Sequence, residues 1–128
     1  MSVTDSTNQD SDREIVAKAL RRLFELWNLD AHQSASVLGL TEEDPSWIQI
    51  GGGGPLPPEP PVIARARTLL RIHRSLQLLL PTSPQVASKW MHAPNPALNG
   101  ETPLATICNE GASGVDKISS LLQRQFAR

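Results

Sequence analysis

Tyrosine is absent from this 128-residue chain, aromatic residues make up only 4% of it, and cysteine occurs once, at Cys108. A lone cysteine excludes an intrachain disulfide and makes a reducing interior the natural compartment. With so few rings, leucine, isoleucine, valine and alanine must build the core, which suits helices better than a β-sandwich. Long apolar runs are also missing. The longest, Leu78 to Leu80, falls far short of the roughly 20 residues that span a bilayer. The opening "MSVTDSTNQDSD" has neither the basic start nor the apolar centre of a secretory leader. A soluble, cytoplasmic protein with no membrane partner is therefore expected. The length fits one domain, or two small helical lobes sharing one core.

Basic residues are absent from one long stretch and acidic residues from another. Between Leu23 and Ala64 there is no Lys or Arg, while Glu25, Asp30, Glu42, Glu43, Asp44 and Glu59 are acidic. From Pro60 to Gly100 the pattern inverts, with Arg65, Arg67, Arg71, Arg74 and Lys89 and no acid. The net charge of −1 conceals this division, which lets one half face a basic partner and the other an anionic one.

What is present is mostly helical signal. Residues 1–10 are polar, without periodicity, and are expected as a disordered tail. Ser11 and Glu14 form a capping-box pattern before a helix that places Ile15, Val16, Ala19, Leu20, Leu23, Leu26 and Trp27 on one side. Asp30 and Gln33 repeat the pattern before a short helix that Gly39 stops. A further short helix, started by Thr41 or Ser46, completes the outline of a helix-turn-helix. "GGGGPLPPEPP" is expected as a hinge with a stiff end. Pro61 then opens a helix with Leu69, Ile72, Leu76 and Leu79 on one face and Arg67, Arg71 and Arg74 on the other. Pro81 ends it, and Ser83-Pro84 starts another that stops near Ala93, before Pro94 and Pro96. Thr102-Pro103 starts a helix that Gly111 ends, and Ser113 and Asp116 are expected to cap the last one, striped by Val115, Ile118, Leu122 and Phe126.

Chemistry-bearing patterns are scarce. The glycine run leads into prolines rather than the Lys-Ser or Lys-Thr of a phosphate loop. His32, His73 and His92 lack metal-ligand spacing with Cys108. No serine or cysteine comes with a base, and Glu42, Glu43 and Asp44 suit a solvated turn. The expectation is a protein that is not an enzyme and carries no cofactor or metal. The Arg67, Arg71 and Arg74 face leaves three readings open: a solvated face, phosphate contact, or docking to an acidic protein surface.

The stretch "KWMHAPNPALNGETPL" is the most distinctive. Asn95-Pro96 begins a turn well and Asn99-Gly100 accepts positive φ, so it predicts a preformed elbow between helices. In order, Trp90, Pro94, Asn95, Leu98, Gly100, Thr102, Pro103, Leu104, Gly114 and Val115 resemble the toxin-binding domain of the Xre/MbcA/ParS family of bacterial antitoxins. Upstream, "ASVLGL" with Trp47 is similar to that family's divergent helix-turn-helix.

The resemblance implies an all-α fold with a helix-turn-helix-like lobe and Gly/Pro linker over 11–59 and a small toxin-binding lobe over 60–128. It implies an antitoxin of a type II toxin–antitoxin system that binds and blocks the active site of a RES-domain, NAD-consuming toxin. The residues carried over for that contact are Gln123, Arg124, Gln125, Phe126 and Arg128. A homodimer within a hetero-oligomeric complex is the implied assembly, and repression of its own operon through operator DNA is a second role left open. Two alternatives stay beside it: a DNA-binding repressor with no toxin, using Arg67, Arg71 and Arg74, and a dimeric scaffold.

Overall fold

The computed structural model describes residues 2–79 and 84–126, with side chains for 11–79 and 85–124. The described residues form seven α-helices: α1 (Ser2–Leu26), α2 (Ala31–Val37), α3 (Pro45–Gly51), α4 (Pro60–Leu79), α5 (Pro84–His92), α6 (Pro103–Glu110) and α7 (Ala112–Phe126). A single 3-10 turn, Pro96–Leu98, joins α5 to α6. No strand occurs among these residues, and the fold is all-α. None of the described helices is long and apolar enough to cross a membrane.

Helix α1 departs from the sequence expectation at both its start and its face. It runs from Ser2, so Ser11 and Glu14 lie inside it instead of capping it, and residues 2–10 continue the helix. Once a helical segment is anchored by packing, each added residue gains a hydrogen bond without a new nucleation cost. The buried side is Ala17, Leu20, Leu23, Phe24 and Trp27, whereas Ile15 is 65% exposed. The stripe follows 17-20-24-27, and Ile15 lies about 200° around the helix from Ala17 at ~100° per residue.

Local signals specify the other helix ends. Asp30 accepts from the Gln33 amide at 2.8 Å while the Gln33 side chain accepts from the Asp30 amide at 3.0 Å, a complete capping box on α2. Neither Thr41 nor Ser46 starts α3. Pro45 is its first residue and Asp44 its N-cap, with the Asp44 carboxylate turned back to accept from the Thr41 amide at 3.0 Å.

The glycine-proline segment is strapped down, where the sequence suggests a hinge. Gly51 and Gly52 close α3, and Leu56 is only 1% exposed in the core. Its amide donates to the Arg13 carbonyl at 3.1 Å, and the Arg13 guanidinium donates to the Leu56 carbonyl at 3.0 Å. Arg21 adds bonds to the carbonyls of Ile50 and Gly54. Two arginines of α1 thus satisfy carbonyls that a free hinge would leave to water.

Helix α4 runs through the middle of the molecule and buries Val62, Ala66, Leu69, Ile72 and Leu76 against neighbours that include α1, α5 and α7. One core cluster takes residues from all seven helices. At its centre Trp27 is fully buried, its indole N–H donating to His73 Nδ1 at 2.9 Å. The Trp27 carbonyl meets His92 Nε2 at 2.8 Å and accepts from Ser88 Oγ at 3.3 Å.

That geometry makes stability pH-dependent. Accepting the indole N–H fixes His73 as the neutral tautomer with its proton on Nε2, an atom buried without a partner among the described residues. Burial lowers the pKa of His73 from its ordinary value. The stabilisation is therefore full above the unfolded pKa, about 6.5, and is lost as pH falls from there toward the lower folded value. Melting temperature should fall between pH 7.5 and pH 5.5, and His73→Gln should flatten that slope. An unchanged slope in the variant would remove His73 as the source of the acid sensitivity.

Candidate functional site

After α5 the chain turns through a compact elbow whose hydrogen bonds converge on Asn95. Its side chain accepts from the Ala97 amide at 3.0 Å. Its carbonyl accepts from Leu98 and Gly100 at 2.9 and 3.0 Å, and its amide donates to the Glu101 carbonyl at 3.0 Å. Asn99 and Gly100 both take positive φ, 59° and 88°, as the Asn-Gly pair predicts. Trp90 and Leu98 are half-buried and pack on the core, while Pro94 is exposed.

Thr102 caps α6 by accepting from the Ala105 amide at 3.0 Å, with Pro103 at the first helical position and Leu104 buried. Buried Thr106 ties the elbow to α6 through a 3.1 Å bond from its hydroxyl to the Glu101 carboxylate. Gly111, at φ 63°, then ends α6, and α7 begins at the next residue. Ser113 is thus inside α7 and is not its cap; the Val115 amide donates to the Gly111 carbonyl at 3.0 Å. So short a connection forces α6 and α7 together, and Gly114 and Val115 are buried where they meet.

Helix α7 stands between two grooves. On one side, Asn99 and Glu101 of the elbow, Glu110 of α6, and Asp116, Lys117 and Arg124 of α7 line a polar cleft of about 810 Å³. Lys117 and Glu110 pair across it at 2.6 Å. On the other side, a groove of about 420 Å³ runs between α4 and α7, bordered by Arg71, Arg74 and Leu78. Arg67 borders a separate cleft of about 320 Å³ with Arg13 and Val16 of α1. Arg67, Arg71 and Arg74 are all exposed, as their helical spacing predicts.

Of the C-terminal candidates, Gln123 and Arg124 are exposed on the last turns of α7. Gln125 and Phe126 continue the helix with side chains outside the described residues, and Arg128 lies outside them altogether. A cation in a helix's last turn complements the negative end of its dipole. Cys108 is half-buried on α6.

Sequence reasoning counted Arg65 in the basic stretch and gave it no role. Arg65 is half-buried and donates to the Val37 carbonyl at the end of α2, at 2.9 Å. Its guanidinium also lies beside Gly39 and Gly111, the glycines just past α2 and α6. Burial lowers its pKa and Asp116 raises it again. The helical spacing of α4 carries a weak signal: Arg65 falls off the Arg67-Arg71-Arg74 line.

Residues 75–127 match the family described as the antitoxin Xre/MbcA/ParS C-terminal toxin-binding domain. The matched stretch starts in the C-terminal part of α4 and takes in the elbow, α6 and α7. No curated protein matches the chain.

Proposed function

From a C-terminal domain of antitoxin type, we propose that this chain is the antitoxin of a type II toxin–antitoxin system and silences its toxin by direct binding, with no catalysis of its own. The partner is a RES-domain toxin that consumes NAD. Residues 60–128 hold it, residues 11–59 form the helix-turn-helix-like lobe, and residues 1–10 lie outside both. The observation that carries this reading is the domain match over residues 75–127. The exposed end of α7, with Gln123 and Arg124, is the part of that domain turned toward the toxin's active site, and Gln125, Phe126 and Arg128 extend it.

The test is affinity capture of the tagged chain from nuclease-treated host lysate, with NAD consumption assayed before and after the chain is stripped away. A stoichiometric partner that consumes NAD only when stripped is the expected result; no such partner at stoichiometric yield would sink the reading. Arg124→Glu should weaken the complex at least about tenfold, ~1.4 kcal/mol, with the melting temperature lowered by only a few degrees through the lost complement to the helix dipole. Equal affinity would remove Arg124 from the contact.

Repression of the chain's own operon as a homodimer is a second role. The short helices α2 and α3 flanking the Gly39 turn support it. Helix α3, however, exposes Ile48 and Gln49 and carries no cation, and exposed Glu42 and Glu43 precede it. Phosphate contact would therefore fall to the α4 arginines.

A further inference from the structure

We propose that the docking surface for the toxin extends past the matched domain onto Arg71 and Arg74 of α4, and that the α4–α7 groove seats an acidic segment of the toxin with an apolar side chain packed on Leu78. This rests on the antitoxin reading above and deepens it. The matched stretch begins at residue 75, yet the groove does not stop there. Leu78, Asp116, Leu122 and Gln123 inside the match share it with Arg71 and Arg74 outside it.

Charge supplies the first argument for the occupant. Arg71 and Arg74 are three residues apart on one helix face and form no ion pair among the described residues; Arg71 has only a 3.2 Å bond to Thr68 Oγ1. No acid occurs from Pro60 to Gly100, so α4 itself offers these cations no counterion. Two adjacent guanidinium groups match a pair of carboxylates in bidentate geometry.

Leu78 supplies the second argument. It lies one turn beyond Arg74 and is 72% exposed, one of three large apolar side chains left in water among the described residues. Arginine is enriched at protein–protein interfaces, and a large apolar side chain exposed beside a pair of them gives a docking partner apolar surface to cover. A DNA backbone would gain little from Leu78, and because Asp116 in the opposite wall repels any anion, the acidic segment lies on the Arg71–Arg74 side of the groove. Continuity is the third argument, because Gln123 belongs both to this groove and to the exposed end of α7.

The experiment uses the co-purified complex of the full chain with its toxin, and three variants: Arg71→Glu/Arg74→Glu, Arg71→Gln/Arg74→Gln, and p-benzoylphenylalanine in place of Leu78. The charge reversal should weaken the complex about a hundredfold, because it sets like charges against each other where they are desolvated. The glutamine pair should weaken it less, and the photo-crosslink should map to an acidic segment of the toxin. Substitutions at these exposed positions leave the fold intact, which a melting curve of each variant checks. A complex of unchanged affinity with no crosslink from position 78 would overturn the groove proposal while leaving the antitoxin reading standing. Loss of operator-duplex binding with toxin affinity unchanged would overturn it in favour of DNA. Failure of the unmodified chain to bind any toxin would remove both.

Discussion

Gly114→Ala is expected to lower the melting temperature by roughly 6–10 °C, and to weaken partner binding with it. A Cβ at Gly114 would fall inside van der Waals contact of the Thr106 carbonyl oxygen, 2.8 Å from the Thr106 carbonyl carbon and 3.0 Å from the Ile107 Cα. All three are backbone atoms of α6, so no side chain can rotate away. The helices must part, and the α6–α7 pair shares more of its length than any other pair in the fold. Overpacking of this kind costs about 1–3 kcal/mol and at times more, against a gain of about 1 kcal/mol from the better helix propensity of alanine. For a chain of this size 1 kcal/mol corresponds to roughly 3–5 °C; the upper end of the cost range is expected, because it is backbone that must move. Thermal unfolding followed by circular dichroism measures this directly. A melting point within about 2 °C of the parent, under 1 kcal/mol on that scale, would mean that α6 and α7 separate freely.

The second large effect is at Trp27. Trp27→Ala removes the largest side chain of the core, and truncating a buried tryptophan costs about 3–5 kcal/mol. It also leaves His73 Nδ1 without its donor, beside an Nε2 that already lacks a partner among the described residues. Against a total stability of order 5–15 kcal/mol, that is enough to unfold a sizeable fraction of the chain. Trp27→Phe goes some way to separating the two contributions, since it keeps much of the packing while removing the N–H together with part of the fused ring. It should cost about 1–3 kcal/mol, the penalty of an orphaned buried acceptor. Urea unfolding of both variants gives the comparison. Equal losses would assign the whole effect to the hydrogen bond, and no loss in the phenylalanine variant would assign it to packing.

What was legible in the sequence was local. The Asp30–Gln33 box, the Thr102-Pro103 start and the positive φ at Asn99 and Gly100 each depend on residues within a few positions, and each is present in the structure. What was not legible depends on partners far along the chain. Nothing near Ile15 indicates that it points away from the core while Ala17 is buried, because helices far along the chain, α4 and α5 with α3, decide which face of α1 is covered. The glycine run resembles a linker in composition, yet Arg13 and Arg21 lie more than twenty residues before it. Arg65 carried no role in the sequence, because its site exists only where the ends of α2 and α6 come together around it. The candidate surface divides in the same way. Spacing placed Arg71 and Arg74 on one exposed face, but only the packing of α4 against α7 brings them into a groove with Gln123.

The bonds at Trp27 also govern the order of events at the ribosome. Its carbonyl is met by Ser88 and His92, 61 and 65 residues further on, and its indole by His73, 46 residues further on. While the chain is being made, α1 lacks its partners over Leu20, Leu23 and Trp27 until α4 and then α5 have emerged. A ribosome that stalls before the elbow therefore holds out an unprotected apolar helix, suited to a chaperone or a protease. A finished copy hides Leu20, Leu23 and Trp27 entirely.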